Sequence, residues 1–283
     1  MDVRGGRGDT NGLMGRGKIS RGLLAGAAFV ALFGLALGLS VLRRRDWLPA
    51  TRYPKAKLAY RVGNCVYMDL NHAGEPDRAL CYGDRGEPMM VADFDGNGTT
   101  DLAVRRQGML LIDTKDDGEV HDSTMDLGWV GDANGFLVAD FSGSADRREP
   151  ASVCVIHGGG SCRIQGSRAP RTPEHRLLSG LEPFAGRWQP LGPARLGVRT
   201  GPCVDLDENG DEQPDKHLCY EDLGSIDQVL VGDWDGDGRD DLVLRRGPCV
   251  FVDTRLDGTH AVTQCLGEHR GATDYFVGSW DGK

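Results

Sequence analysis

Five aromatic residues recur along this chain at a nearly constant interval: Phe94, Phe141, Trp188, Trp234 and Trp280 lie 47, 47, 46 and 46 positions apart. Four of them close a short apolar run: Val91-Ala92-Asp93-Phe94, Val138-Ala139-Asp140-Phe141, Val231-Gly232-Asp233-Trp234 and Val277-Gly278-Ser279-Trp280. A second run on the same beat ends in arginine, as Leu58-Ala59-Tyr60-Arg61, Leu102-Ala103-Val104-Arg105, Leu196-Gly197-Val198-Arg199 and Leu242-Val243-Leu244-Arg245. A period of roughly 20 to 50 residues means a stack or ring of like units, none of which buries its apolar face alone.

The cysteines keep the same beat. Cys65/Cys81, Cys203/Cys219 and Cys249/Cys265 are each 16 positions apart, and Met109/Met125 hold the equivalent places in the second unit. Turn signals lie midway, at Ala73-Gly74, Asp117-Gly118, Gly210-Asp211 and Asp257-Gly258, so each pair is expected face to face across a hairpin. Cys154 and Cys162 flank Gly158-Gly159-Gly160 and read as the same hairpin in shortened form, so all eight cysteines are expected in four local bridges. The methionines are expected to fill the equivalent volume by packing alone.

Each unit then comprises a strand ending in the aromatic, an acidic loop, a second strand, and a hairpin of two more. That is the make-up of a propeller blade. The first unit begins at its second strand, near residue 58, and residues 277–280 form a fifth copy of the first strand. The two fragments are expected to complete one blade, closing an all-β, five-bladed propeller without exposed edges.

Two of the inter-strand loops carry oxygen side chains at alternate positions. The second unit offers Asp93, Asp95, Asn97 and Asp101 with the carbonyl of Thr99; the fifth offers Asp233, Asp235, Asp237 and Asp241 with the carbonyl of Arg239. Calcium takes six to eight oxygens, and a tight glycine-rich loop of this spacing can wrap one ion, so about two Ca²⁺ are expected. The third unit keeps a weak version at Asp140, Ser142, Ser144 and Asp146, while the fourth has Arg187, Gln189, Leu191 and Arg195 in these places. A separate acidic run, Asp205, Asp207, Asn209, Asp211 and Asp215, at the tip of the fourth hairpin is a further candidate.

The run Asp233-Trp234-Asp235-Gly236-Asp237-Gly238-Arg239-Asp240-Asp241-Leu242 resembles the FG-GAP/VCBS repeat of integrin α-subunit propellers and of many bacterial surface proteins. The resemblance covers nearly all of residues 58–283 and implies a propeller of the bacterial membrane-anchored type. It implies protein or glycan ligands, with calcium on one rim at the second and fifth units. Integrin propellers have seven blades; the count of five rests on the spacing in this chain.

The N-terminal region differs in kind. Residues 1–57 hold 11 Lys/Arg against 3 Asp/Glu, which leaves 22 against 39 for the remainder. An acidic body repels phosphate backbones, which argues against nucleic acid as a partner. Gly22 to Leu42 is uncharged over 21 residues and flanked by arginines, long enough for an uncleaved membrane anchor. The expected organisation is a basic cytoplasmic tail at 1–21, a transmembrane anchor at 22–42, a mobile stalk at 43–57 and the propeller at 58–283. Paired cysteines call for an oxidising compartment, placing the propeller outside the cell membrane and the N-terminus inside.

No nucleophile or cofactor site emerges. His157-Gly158-Gly159-Gly160 resembles an esterase oxyanion segment, but no Gly-x-Ser-x-Gly elbow accompanies it and its place is a hairpin tip. The chain is therefore read as a non-enzymatic, membrane-tethered extracellular binding or adhesion module. The alternatives are a degenerate glycan-acting hydrolase and a structural subunit of a cell-envelope complex. Residues 167–183 break the period and are either a partner contact or slack linker.

Overall fold

The computed structural model describes residues 53–119, 121–131, 133–142, 149–158, 160–166, 175–176, 182–190, 192–267 and 271–282. The expected tail, membrane span and most of the stalk lie outside them, as do Ser144 and Asp146. Among the described residues no helix is long and apolar enough to cross a membrane.

The strands are, in chain order, β1 (Lys57–Val62), β2 (Cys65–Met68) and β3 (Arg78–Cys81); β4 (Met89–Ala92), β5 (Asp101–Arg106), β6 (Met109–Asp113) and β7 (Ser123–Asp126); β8 (Ala133–Ala139), β9 (Ser152–His157), β10 (Ser161–Gln165) and β11 (His175–Arg176). They continue with β12 (Glu182–Gly186), β13 (Arg195–Thr200), β14 (Cys203–Leu206) and β15 (Lys216–Cys219); β16 (Gln228–Gly232), β17 (Asp241–Arg246), β18 (Cys249–Asp253) and β19 (Val262–Cys265); and β20 (Asp274–Gly278). They form five four-stranded antiparallel sheets, the first in the order β20-β1-β2-β3 and the other four in sequence order. The inner strands β20, β4, β8, β12 and β16 touch one another in a closed ring. The chain is a five-bladed β-propeller, and β20 pairs with β1 from Lys57↔Gly278 to Arg61↔Asp274 to complete the first blade.

Burial explains why the second-strand runs are apolar without alternation. β5 and β17 lie between neighbouring blades and bury four successive residues each, whereas the third strands β2 and β14 alternate and the outer strands β7 and β19 are mostly exposed.

Each junction between blades contains one apolar core and one of the five repeated aromatics. Trp280 packs with Ala59 and Val66 of the first blade and Leu102 and Val104 of the second. Phe94 and Phe141 fill the next two junctions, Trp188 the fourth, and Trp234 sits between Val243 and Val252 of the fifth blade and Leu58 and Tyr60 of the first. The period in the sequence is the period of these wedges.

The recurring arginines also have a common task. The guanidinium groups of Arg61, Arg105, Arg199 and Arg245 each donate to the carbonyl two residues on, at Gly63, Gln107, Gly201 and Gly247, holding the tight turn into the third strand. Gly201 and Gly247 precede prolines in these turns and take positive φ, as the first central position of a II′ hairpin requires. The same side chains reach the next blade: Arg61 donates to Glu87 O and Arg199 to Ile226 O, while Arg105 and Arg245 lie over the Phe136 and Tyr275 rings.

All four expected disulfides form, and among the described residues no free cysteine remains. Cys65–Cys81, Cys203–Cys219 and Cys249–Cys265 join directly opposed residues of the third and fourth strands. Three expectations need correction. Cys154–Cys162 joins the second and third strands, β9 and β10, diagonally, because the chain after His157 turns straight back to pair Ser161 with His157. The fourth strand of that blade, β11, therefore comes from within residues 167–183, so the described part of that stretch is blade and neither partner contact nor slack linker. Met109 opposes Asp126 and Met125 opposes Leu110, since the hairpin is one residue longer; Met109 is exposed, and only Met125 packs against the core.

Residues 53–57, expected at the end of the stalk, lie on the propeller. Tyr53 and Ala56 donate backbone hydrogen bonds to Gly236 O and Asp233 O, and Lys57 opens β1.

Replacing a wedge should cost more than replacing an exposed methionine of the same repeat. Trp280→Ala is expected to lower unfolding free energy by about 3–5 kcal/mol. Met109→Ala is expected to change it by no more than about 0.5 kcal/mol. Denaturant unfolding of both variants checks the assignment.

Candidate metal loops and the channel mouth

The loops between first and second strands sit where the blades are tied together. The residue just before each second strand donates its backbone N–H to the carbonyl that follows the inner strand of the preceding blade. The five bonds are Thr100→Ser279, Ala151→Asp93, Ala194→Asp140, Asp240→Arg187 and Ala56→Asp233, all at 2.7–2.8 Å. Where the donor also has a polar side chain the bond is doubled: Ser279 N–H donates to Thr100 Oγ1, and Arg187 N–H to Asp240 Oδ2. This belt surrounds a channel cavity of about 250 Å³, walled by valines 91, 138, 231 and 277 of the inner strands.

In the second blade the loop 93–101 winds around Asp93, whose carboxylate accepts the N–H groups of Gly96, Asn97 and Gly98 at 2.6, 3.0 and 2.8 Å. Asp233 does the same for Gly236, Asp237 and Gly238 at 2.8, 3.0 and 2.9 Å. Gly236 and Gly238 have positive φ, and a Cβ on Gly238 would stand 2.5 Å from the Tyr53 ring, so glycine is required there twice over.

The structure brings together one oxygen from each of Asp93, Asp95 and Asp101, and likewise from Asp233, Asp235 and Asp237, all within 4.8 Å of one another. Asp241 is not in the second group but is buried close enough to feel the charges of Asp235, Asp233 and Asp237. Asn97 lies against the group with its oxygen engaged: its amide donates to Asp95, and its oxygen accepts the Thr99 N–H. The Thr99 hydroxyl also donates to Asn97, and the Arg239 guanidinium donates to Thr254 O, which leaves only backbone carbonyls of these two residues for an ion.

The donor set fits a cation on one decisive point. Asp101 and Asp241 are fully buried; one oxygen of each accepts the backbone N–H of the wedge aromatic, Phe94 at 2.7 Å and Trp234 at 2.6 Å. The other oxygen, Oδ1 in both, has no hydrogen-bond partner. Burial, followed by the neighbouring carboxylates, pushes both groups up to about 8, and burial pushes Asp93 up to about 6. A buried carboxylate oxygen without a donor is costly, and a divalent cation among these aspartates satisfies it. The same burial keeps any substrate away from Asp101 and Asp241, so their raised values do not make them acids of the glycosidase kind.

Among the described residues, the first and fourth blades place side-chain cations at these positions. In register with Asp101 and Asp241, opposite the last residue of the inner strand, stand Lys57 in the first blade and Arg195 in the fourth. The Lys57 ammonium pairs with Asp281, the counterpart of Asp95. Arg187, in the place of Asp93, is buried and pairs with Asp140 of the third blade at 2.5 Å.

The acidic hairpin tip 205–215 is not gathered in this way. Asp207 accepts the N–H groups of Gly210 and Glu212, Asp215 those of Glu208 and Asn209, and Asp205 faces His217. Asp207 belongs instead to a second repeat that sequence reading missed. Asp69, Asp113 and Asp253 occupy the same place, each buried and each bonded to the N–H five residues on. The signal was an aspartate near the end of four of the five third strands, β10 ending in Gln165 instead, and it is visible once the strands are aligned.

No protein-family profile and no curated protein matches the sequence. Several solved structures are similar to this chain at low identity. An Agrocybe aegerita lectin that recognises non-reducing terminal N-acetylglucosamine is 15% identical, with a TM-score of 0.41 over 75% of this chain and 65% of that one. A Bacteroides caccae protein of unknown function is 8% identical, with a TM-score of 0.42 over 79% and 98%. A Photorhabdus luminescens Tc holotoxin pore is 15% identical, with a TM-score of 0.40 over 79% of this chain and 12% of that one. The chain thus spans just under two thirds of the lectin and about an eighth of the toxin chain.

The Arg187–Asp140 pair offers a test independent of metal. Arg187→Leu leaves a largely buried carboxylate unpaired and is expected to cost about 3–5 kcal/mol, while Arg187→Leu/Asp140→Leu recovers most of the loss. Unfolding measured in a chelator isolates the effect from loops 93–101 and 233–241.

Proposed function

We propose that this chain is a membrane-tethered, extracellular ligand-binding or adhesion module, a propeller whose loops 93–101 and 233–241 each hold one calcium ion. The observation that carries the metal reading is the pair of buried, unpartnered oxygens, Asp101 Oδ1 within one gathered group of aspartates and Asp241 Oδ1 next to the gathered Asp233, Asp235 and Asp237. Asp93, Asp95, Asp101 and the Thr99 carbonyl would hold one ion, with Asn97 after its amide turns. Asp233, Asp235, Asp237, Asp241 and the Arg239 carbonyl would hold the other. Bound calcium supplies charge neutralisation and fixes the loop; these residues supply the cage. An extracellular setting accords with cysteines that are all paired, and tethering with the apolar segment 22–42. The rim where the metal loops and the channel mouth lie is the surface such a module would present to a protein or glycan.

Calorimetry and thermal unfolding of the full chain in detergent test this reading. Two ions are expected, with dissociation constants of about 10⁻⁴ to 10⁻³ M. At a hundredfold excess over that constant each contributes about 2.7 kcal/mol. Asp101→Asn and Asp241→Asn should each abolish one site, yet be no less stable than the parent chain in chelator. Identical unfolding of the parent with calcium and with chelator sinks the metal reading.

A further inference from the structure

Three of the four disulfides are equivalent in register, and one of them has a different neighbourhood. Two residues after the first cysteine of each pair, and directly opposite it across the strands, the first blade has Tyr67↔Ala79 and the fifth Phe251↔Thr263. The fourth blade has Asp205↔His217. The His217 imidazole lies between carboxylate and sulfur: Nδ1 is 2.6 Å from Asp205 Oδ1, and Nε2 is 3.3 Å from Cys219 Sγ. His217 is exposed, and Cys203 and Cys219 are half-buried, so a small molecule can reach the bond.

We propose that Cys203–Cys219 is a thiol–disulfide exchange site for small-molecule thiols, with His217 the proton donor to the departing Cys219 sulfur and Asp205 its positioning residue. With Nδ1–H donated to Asp205 the ring is oriented so that, in its protonated form, Nε2–H faces Cys219 Sγ. An attacking thiolate forms a bond to Cys203 Sγ and the Cys203–Cys219 bond breaks. Its electron pair goes to Cys219 Sγ, which takes the proton from Nε2. The first product is a mixed disulfide on Cys203 and a free Cys219 thiol. A second thiol displaces the adduct, so two thiols become one disulfide and two electrons have passed to the cystine. Exchange is faster when the leaving sulfur is the better leaving group, and an adjacent imidazolium makes it one.

Accessibility alone gives the opposite ranking, since Cys81 and Cys265 are exposed and Cys219 is not. The full chain is treated with glutathione at neutral pH, quenched by alkylation at intervals, and each cystine followed by peptide mass. Cys203–Cys219 is expected to open about ten-fold faster than Cys65–Cys81 and Cys249–Cys265, with glutathione captured on Cys203. His217→Ala should erase that advantage, and Asp205→Asn most of it, with the other two rates unchanged as an internal check on folding. Equal rates for the three bridges in the parent chain overturn the proposal. So does an advantage that survives both substitutions.

Discussion

The belt of five backbone hydrogen bonds around the channel is the constraint on which the rest of the propeller depends. Each inter-strand loop belongs to two junctions at once: in the second blade, Asp93 O accepts from Ala151 of the third blade while Thr100 N–H donates to Ser279 of the first. A loop that loosened would release both neighbours. Every loop must therefore hold its two ends at a set distance, and a compact charge between them is a direct way to do so. The first blade uses Lys57 against Asp281, and the junction of the third and fourth uses Arg187 against Asp140. Loops 93–101 and 233–241 have only carboxylates at the corresponding places, which is the physical reason an ion is proposed for them.

Outward from the belt, burial falls strand by strand and the means of cohesion changes with it. The second strands are buried on both faces by the wedge aromatics and by the neighbouring blade, and their ending arginines tie turn to blade. The outer strands bury one residue in four or fewer, which packing alone holds weakly. In the first, fourth and fifth blades a disulfide holds that strand to its neighbour; a bridge of this loop size contributes roughly 3 kcal/mol in the chain-entropy model. The third blade places its bridge one hairpin inward, where both sulfurs are wholly buried.

What could be read from the sequence follows from the same gradient. The wedge aromatics recur because a junction has the same volume in every blade, so their spacing discloses five junctions, and the split first unit, with its first strand repeated at 277–280, discloses the closure of β20 on β1. Three disulfides were legible because directly opposed residues keep a fixed separation of 16 when the hairpin length is constant. The reading failed where hairpin length changes. One extra residue set Met109 opposite Asp126, and the glycine turn after His157 was taken for the outer hairpin when it is the inner one. Asp101 and Asp241 were legible as possible ligands from position, but their orphaned oxygens follow from burial, which a period does not state. Nothing in the sequence pattern singles out His217, and its partners become visible only with the register Asp205↔His217.

That register also bounds what opening Cys203–Cys219 could do. Leu218 and Tyr220 bury their side chains in the junction core beside Trp188, and Tyr220 donates to Asp253 of the fifth blade at 2.8 Å. Beyond β15 the chain thus remains fastened when the bridge is open. On the other side, the tip 207–215 is closed on itself by Asp207 and Asp215. Only the four residues of β15 lie between these two fixed points, held by their ladder to β14. Exchange at this bridge would therefore loosen one outer strand and leave belt, wedges and metal loops in place, so a change of redox state there is compatible with an intact ring.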